Sequence, residues 1–409
     1  MLVTHESAAM PQAHDAPPAP WVIVAGGFHD SGAMDRANAA LALHLRQRGI
    51  PLHLVSYRVD SHIAKDPGVT VHRARRPAGS FLAQWTLERT AWTVAAYVKE
   101  KWPRARVVVN GGNCIWPDVN WVHCVHHAWP VCDEQAPLWF KAKNRAFKFE
   151  AKRRELCALR DARVVIANSN KTRADLIDHL GLDPARIHTV YPGADAHCVP
   201  PTPERCAAAR VRLGKSAARP LVAFVGALGH DSNKGFDLLW AAWQRLCARP
   251  GWDADLIAAG GGRALPGWRH AIAAAGLGHR VTMLGFTRHV ADLLAAADLL
   301  VSPVRYEAYG VNVQEAICAG VPALVSASAG IAERYPADLG DLLIAGPGSV
   351  DDLAARLLQW RDNIGAFRRR VEPLGRTLRA FTLDAMAREI VAVVESAPLP
   401  APRRRFIGR

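Results

Sequence analysis

The sequence lacks paired cysteines, a long apolar run and an N-terminal leader, and each absence excludes a class of protein. Its eight cysteines form no CxxC pair and no His–Cys spacing typical of a metal site, which argues against a disulfide scaffold and favours a reducing compartment. No stretch approaches the roughly 18 apolar residues of a membrane span. The first 20 residues contain neither a basic nor an apolar signal region. We therefore expect a cytoplasmic protein that could still bind the inner face of a membrane.

Acidic side chains are also scarce, with 37 Asp and Glu against 51 Lys and Arg, and the formal net charge is +14. The excess of positive charge is concentrated between Lys141 and Arg173, a stretch that contains eleven basic and three acidic residues. Within it, Lys141–Arg154 interleaves basic and aromatic residues. This pattern fits a helix on an anionic membrane surface, or a solvated helix whose aromatic residues face the core. No nucleic-acid-binding pattern is present, so we expect no nucleic acid partner.

Short apolar runs alternate with helical patterns along the whole chain, for example WVIVA at 21–25 and LVAFV at 221–225. This alternation predicts an α/β fold with two Rossmann-like domains facing each other across a central cleft. The expected division is a disordered tail at 1–20, an N-terminal Rossmann-like domain at 21–195, a linker at 196–219, a C-terminal Rossmann-like domain at 220–380 and a final segment at 381–409. The helix of that segment either caps the second domain or crosses back to the first, before a basic tail.

The stretch RYEAYGVNVQEAICAGVP at 305–322 follows a predicted buried strand. Gly310 permits a tight loop with positive φ, and helical spacing begins at about Asn312. Glu307 is therefore expected in a strand-to-helix loop, and Glu315 about one turn into the helix. The free amides at this helix end suit an anion flanked by two carboxylates. The alternative is a surface loop with two solvated glutamates.

Three other loops after predicted strands are rich in glycine: 26–38, 226–237 and 260–263. Ligands of open α/β sheets bind at the carboxyl ends of the strands, where these loops lie. Neither the GxGxxG fingerprint nor the Walker A spacing is present. Lys234 precedes a helix, where it can neutralise a diphosphate. Each loop alone has a structural role as often as a functional one, but together they favour the binding of a nucleoside diphosphate.

The stretch NWVHCVHHAWP places three histidines at the end of a predicted strand over residues 120–125. Alternation along a strand predicts that His126 and His127 point to opposite faces. No suitably spaced fourth ligand accompanies the histidines, so a metal site is not expected. Each histidine either bonds a sugar hydroxyl or phosphate, or has a structural role.

In these motifs the sequence resembles glycosyltransferase family 4, which comprises retaining transferases of the two-domain GT-B fold. Glu307 and Glu315 match its E-x7-E motif. Supporting stretches occur in the family's order: VVIANSNKTRADL, YPGAD, FVGALGHDSNKGFDLLWAAW, VTMLGFTRHVADLLAAADLLVSP and SASAGIAE. The resemblance extends from about residue 21 to residue 396.

The resemblance implies retaining sugar transfer from a UDP- or GDP-sugar to a glycan or glycolipid acceptor, in cell-envelope polysaccharide biosynthesis. The domain at 21–195 would be the acceptor-side domain, and the domain at 220–380 would bind the nucleotide-sugar. The nucleotide-sugar is a substrate, and neither a cofactor nor a metal is implied. Glu307 would bind the transferred sugar, Glu315 the ribose and Lys234 the diphosphate. The full candidate set is Glu307, Lys234, His126 and His127 for catalysis, with Glu315, Gly226, Gly260, Gly261, Gly310, Asn312, Val313 and Gly32 for donor binding.

Two departures from the family pattern affect this assignment. Ala227 stands where the family usually has an arginine, and His230 or Arg263 is a candidate to replace it. The loop after the fourth main strand is NGGNC and lacks the histidine found there in many members. The candidates to replace that histidine are Asn110, Asn113, His126 and His127. Two further functions therefore stay open: a nucleotide-sugar epimerase of the same fold, and an inactive protein that binds nucleotide-sugar or polyanion.

Overall fold

The computed structural model describes residues 18–77, 80–346 and 348–398. Most of the expected N-terminal tail and the whole basic tail at 403–405 lie outside the described residues. The first half contains β1 Trp21–Val24, β2 Gly27–Phe28, α1 Ala33–Gln47, β3 Leu52–Ser56, β4 Arg58–Val59, α2 Ser61–Ala64, β5 Val69–Arg73, α3 Ser80–Lys101, β6 Arg106–Asn110, β7 Val119–Val122, α4 Leu138–Asp161, β8 Val164–Ala167, α5 Asn170–Leu180 and β9 Ile187–Thr189.

The second half begins after the proline-rich connection. It contains α6 Pro203–Arg212, β10 Leu221–Val225, α7 Phe236–Cys247, β11 Asp255–Ala259, α8 Leu265–Ala274, β12 Val281–Gly285, α9 Val290–Ala296, β13 Leu299–Ser302, α10 Val311–Cys318, β14 Ala323–Ser326, β15 Leu343–Ile344, α11 Val350–Asp362, α12 Ile364–Ala380 and α13 Leu383–Ser396. Within the described residues, no helix is long and apolar enough to cross a membrane.

The strands form two main parallel sheets, one in each half. The first has the order β5-β3-β1-β6-β7-β8-β9 and the second the order β12-β11-β10-β13-β14-β15. The strand order reverses between β1 and β6, and again between β10 and β13. Ligands of such sheets bind at this switch point, beyond the carboxyl ends of the strands. The loops that follow β10 and β13 therefore border the expected site, and the predicted fold of two Rossmann-like domains is confirmed.

The packing of the core explains why the strand sequences are continuous apolar runs. Val107 and Val109 of β6 pack with α3 on one face of the sheet, while Val108 packs with α1 and α13 on the other. Both faces of the strand are therefore shielded from water by helices. Parallel sheets in α/β proteins have this pattern.

The last helix crosses back to the first domain. Met386, Ile390 and Val394 of α13 share the hydrophobic core of β1 and α1. Leu383 N–H donates to the Ala194 carbonyl at 3.1 Å, which fixes the crossing point. A Cβ on Gly193 would lie only 2.3 Å from the Thr382 carbonyl oxygen, so the close crossing requires glycine there.

The strand expected over residues 120–125 ends earlier, at Val122. Its neighbours β6 and β8 end opposite Trp121 and Val122, so residues beyond them have no strand partner. Residues 126–128 form a turn instead. The predicted alternation of His126 and His127 along a strand is therefore wrong.

Candidate active site

The loop that carries Glu307 is clamped by an asparagine of the preceding glycine-rich loop. The buried Asn233 side chain accepts from Tyr306 N–H and donates to the Tyr306 carbonyl, each at 2.9 Å. Asn233 belongs to a short 3₁₀ turn at Ser232–Lys234. The sequence analysis did not identify this asparagine, although it lies beside Lys234 in the same loop.

The first domain holds the same loop from the other side. Ser169 Oγ donates to the Ala308 carbonyl at 2.6 Å, and Val125 N–H donates to Tyr306 Oη at 2.8 Å. The two residues flanking Glu307 are thus each bonded to the N-terminal domain. The position of Glu307 consequently depends on how the two domains meet.

Lys234 lies directly beside Glu307, with its Nζ atom 2.5 Å from Glu307 Oε2. Gly235 follows with a φ of 73°, and a Cβ there would lie 1.9 Å from the Pro303 carbonyl oxygen. Glycine therefore allows the loop after β10 to touch the loop after β13. This contact brings Lys234 and Glu307 together.

Glu315 lies in α10 and contacts a residue that the sequence analysis missed. Its carboxylate forms an ion pair with the guanidinium of Arg36, from the first turn of α1. Burial raises the pKa of Glu315, and the neighbouring Arg36 only partly counteracts that rise. The signal for Arg36 was the SGAMDRAN stretch, where Arg36 comes one turn after Gly32.

Gly32 caps α1 with a φ of 111° and no side-chain bond. Asp35 lies inside the first turn, because the helix begins at Ala33. Its carboxylate lies 3.5 Å from His29 Nε2. Donor binding by Gly32 stays a prediction.

The amino end of α10 begins after Gly310, whose φ is 114°. Val313 N–H already donates to the Gly310 carbonyl at 3.1 Å, and donor binding by Val313 stays a prediction. In the described structure the amides of Val311 and Asn312 make no backbone hydrogen bond at this helix end. The Asn312 side chain donates to the Val225 carbonyl at 3.0 Å, which anchors the helix on β10.

The remaining candidate glycines bring two loops of the second domain into contact. A Cβ on Gly260 would lie 1.7 Å from the Gly226 carbonyl oxygen. Leu228 N–H donates to the Gly261 carbonyl at 2.9 Å. Backbone packing alone therefore requires glycine at 260, and donor contact by Gly226, Gly260 and Gly261 stays a prediction.

His126 and His127 are both held by one buried carboxylate. Glu155 of α4 accepts from both backbone amides, and its two oxygens lie 3.2 Å from His126 Nδ1 and 2.7 Å from His127 Nδ1. Burial alone would raise the pKa of Glu155, but the hydrogen bonds from the two histidines outweigh it and lower that pKa. The two Nδ1 atoms thus face the same group, and each Nε2 is left to other partners.

His126 borders a cavity between the domains, whose volume is about 270 Å³. Residues from both halves line it: His126, Trp129, Asn144, Phe147, Lys148, Ala227, Gly229, Asp231, Asn233 and Lys234. The cavity joins the Lys234 loop to the histidine turn, as expected for a site between two domains.

The two candidates to replace the missing arginine contact the aromatic start of α4. The Arg263 guanidinium lies 5.4 Å from the Trp139 ring centre, and the His230 ring lies 5.2 Å from that of Phe140. Asn110 is buried and bonds Asn38 and His123. Burial lowers the pKa of His123 to about 4, so this histidine is neutral at ordinary pH.

The basic helix α4 does not bury its aromatic residues as one reading supposed. Trp139 is 51% and Phe149 is 72% exposed, whereas Lys148 and Arg154 are buried. Lys148 donates to the Pro130 carbonyl, and Arg154 pairs with Glu88 at 2.8 Å. The interpretation with core-facing aromatics is therefore wrong for these two residues. In the described residues, no group of three or more candidate side chains could hold a metal ion.

Solved structures show the same architecture. Sucrose-phosphate synthase from Thermosynechococcus elongatus matches with a TM-score of 0.71 and 19% identity, over 92% of this chain and 98% of that one. WaaG, a glycosyltransferase involved in lipopolysaccharide biosynthesis, matches with a TM-score of 0.69 and 20% identity, over 92% and 100%. Anabaena HepE in complex with UDP and glucose matches with a TM-score of 0.65 and 17% identity, over 92% and 100%. The fold is that of the GT-B glycosyltransferases.

Sequence comparisons agree with this class. The model described as Glycosyltransferase Family 4 matches residues 34–197, and Glycosyl transferases group 1 matches residues 219–363. The D-inositol 3-phosphate glycosyltransferase of Geodermatophilus obscurus is 28% identical over 80% of this chain and 78% of its own length. The alpha-D-kanosaminyltransferase of Streptomyces kanamyceticus is 32% identical over 40% and 42%. The chain is a glycosyltransferase of the GT-B fold, and its residues 34–197 match the family 4 model.

Proposed function

We propose that the protein transfers a sugar, with retention of configuration, from a UDP- or GDP-sugar to a glycan or glycolipid of the cell envelope. The observation that carries this proposal is the convergence of Lys234, Glu307 and the amino end of α10 at the switch point of the second sheet. The nearby Glu315 completes the set. A cation, a helix end and two carboxylates suit a diphosphate joined to a sugar and a ribose.

Each group has a separate task in this proposal. Lys234 and the amides of Val311 and Asn312 stabilise the negative charge that develops on the leaving diphosphate. Glu307 accepts hydrogen bonds from the transferred sugar, and Glu315 accepts them from the ribose. His126, on the cavity wall, contacts the sugar or the acceptor, and Glu155 fixes the orientation of its ring.

The donor and acceptor classes draw on the relatives. HepE was solved with UDP and glucose, and WaaG is involved in lipopolysaccharide biosynthesis. We extend a nucleotide-sugar donor and an envelope acceptor to this chain on that basis.

The first experiment measures thermal unfolding with a panel of UDP-, GDP- and ADP-sugars, because a bound ligand raises the unfolding temperature by mass action. A nucleotide-sugar that stabilises the protein is then radiolabelled in its sugar and incubated with the protein and glycolipid acceptors. We expect transfer by the wild type and its loss in Glu315→Ala. Near-normal transfer by Glu315→Ala would contradict the assigned role of Glu315.

Ala227 supports a second candidate, an inactive protein that binds nucleotide-sugar. The side chain at this position is exposed beside the cavity and carries no charge. Stabilisation by a nucleotide-sugar without transfer to any acceptor would favour this candidate. Interconversion of the donor sugar would instead indicate an epimerase.

We also propose that α4 binds an anionic membrane surface. Its exposed side chains include Trp139 and Phe149 together with Lys143 and Arg145. Aromatic and basic residues on one exposed helix suit the boundary between lipid headgroups and acyl chains. Such binding would bring the cleft to a glycolipid acceptor.

A further inference from the structure

The proposed donor site is short of positive charge. A nucleoside diphosphate would bring its negative charge beside Glu307 and Glu315, two carboxylates already in the cleft. Lys234 is paired with Glu307 at 2.5 Å, so one lysine cannot offset both the carboxylates and the diphosphate. The alternatives considered from sequence, His230 and Arg263, pack against the aromatic start of α4.

Arg36 of the first domain lies at the place where a second cation is needed. Its side chain, 26% exposed, pairs with Glu315 and lies 3.8 Å from Asp195. Arg36 also lines a small cavity together with Val311 and Gln314. These two residues belong to the first turn of α10, whose free amides we assign to the diphosphate.

The guanidinium of Arg36 retains an unused hydrogen-bond donor. Its Nη2 contacts Glu315 and its Nε lies near Asp195, whereas Nη1 makes no hydrogen bond within the described part of the chain. A guanidinium presents five N–H groups in a planar fork, so it can hold a carboxylate with one edge and a phosphate oxygen with another.

We propose that Arg36 is the second cation for the donor diphosphate, supplied across the cleft by the acceptor-side domain. This inference rests on the donor site proposed above. It makes tight donor binding dependent on contact between the two domains, because Arg36 and Lys234 come from opposite halves.

The test measures binding of UDP and of uridine by calorimetry, with GDP and guanosine as the second pair. The proteins are wild type, Arg36→Ala and the double variant Arg36→Ala with Ala227→Arg. We expect Arg36→Ala to weaken nucleoside diphosphate binding about 10- to 100-fold, as for a lost charge-assisted hydrogen bond, and nucleoside binding much less. The exposed arginine introduced at 227, beside Lys234, should restore most of the diphosphate affinity.

Glu333→Ala serves as the matched control for loss of a domain contact. Glu333 accepts from the amides of Asn170 and Lys171 at 2.8 and 3.0 Å, so its removal weakens the interface without removing a cation. Equal loss of diphosphate and nucleoside binding in Arg36→Ala, without rescue from position 227, would overturn the inference. Unchanged diphosphate binding in Arg36→Ala would also overturn it. A wild type that binds neither UDP nor GDP would instead overturn the proposed donor site itself.

Discussion

Lys234 Nζ lies 2.5 Å from Glu307 Oε2, although the two residues are assigned to different parts of the donor. The lysine comes from the loop after β10 and the glutamate from the loop after β13, so the pair spans the switch point of the second sheet. Each side chain partly neutralises the other in the absence of donor. A diphosphate would compete with Glu307 for the lysine, and this exchange would free the carboxylate for sugar hydroxyls.

Removing Lys234 should therefore affect catalysis more than folding. We expect Lys234→Ala to lower kcat by about 100- to 1000-fold, because it removes a group that stabilises the leaving diphosphate. The measurement is sugar transfer at saturating donor, with the unfolding temperature as a check on folding. Lys65→Ala, at an exposed lysine that ends α2, is the control and should keep wild-type kcat.

The Lys234–Glu307 pair also predicts non-additive kinetics. The double variant Lys234→Ala with Glu307→Ala should lose less activity than the product of the two single losses, because each single change leaves the other residue unpaired. A double-mutant cycle on kcat measures this coupling. Independent effects would show that Lys234 and Glu307 are not coupled in the reaction.

Glu155 should contribute to stability in a pH-dependent way. Its pKa is lowered in the folded protein because hydrogen bonds from His126 and His127 outweigh the opposing effect of burial. The stabilisation is therefore fully present above the unfolded value of about 4.5 and is lost as the pH falls through the lower folded value. Glu155→Gln should cost about 1–3 kcal/mol at neutral pH, since its amide group would face donors.

The measurement for Glu155 is the free energy of unfolding of wild type and variant between pH 3 and about pH 7. The difference between them should shrink at the acidic end. Glu150→Gln, on the exposed side of the same helix, is the control. Its carboxylate bonds only Arg153 in the described contacts, so we expect little change in stability. A pH-independent difference for Glu155→Gln would contradict the role of its charge.

Gly235 and Gly49 have the same φ of 73° but different surroundings. A Cβ on Gly235 would lie 1.9 Å from the Pro303 carbonyl oxygen, whereas nothing lies within 4 Å of one on Gly49. Gly49→Ala should cost about 1–2 kcal/mol of stability, from left-handed strain alone. Gly235→Ala should cost more and should also lower kcat, because Pro303 begins the loop that carries Glu307. Denaturant unfolding and transfer assays separate the two effects.

Local patterns were sufficient to predict much of the fold. The strand at 221–225 has the expected bounds, because buried parallel strands are continuous apolar runs with clear breaks. The early end of β7 could not be predicted, since it depends on where the neighbouring strands stop. A sequence pattern shows the strand, but not its partners.

The candidate site was predictable only where its residues share a motif. Glu307 and Glu315 are eight positions apart, and their places in loop and helix follow from local spacing. Arg36 lies 279 positions before its partner Glu315, and Glu155 lies 29 and 28 positions after its two histidine partners. Only the tertiary fold therefore shows these contacts. For the same reason, sequence could not reveal that Lys148 and Arg154 of the basic helix are buried.

Membrane binding by α4 should depend on its exposed residues and not on the buried cations. Reversing the charge of Lys143, Arg145 and Arg160, which are all exposed, should reduce binding to phosphatidylglycerol vesicles by about tenfold or more, since each cation near the surface contributes about 1 kcal/mol. Trp139→Ser with Phe149→Ser should weaken binding while keeping the charge. Co-sedimentation with anionic and neutral vesicles measures both effects.

The matched control reverses three exposed arginines of the second domain, Arg249, Arg369 and Arg376. It changes the net charge equally but leaves α4 intact. If overall charge alone attracted the protein to lipid, this control would lose binding as strongly as the α4 variant. Retained binding in the control, with loss in the α4 variant, would place the lipid contact on α4. This helix lies beside the cleft, because it contributes Asn144, Phe147 and Lys148 to the cavity wall. A glycolipid acceptor could then enter the cavity from the membrane surface.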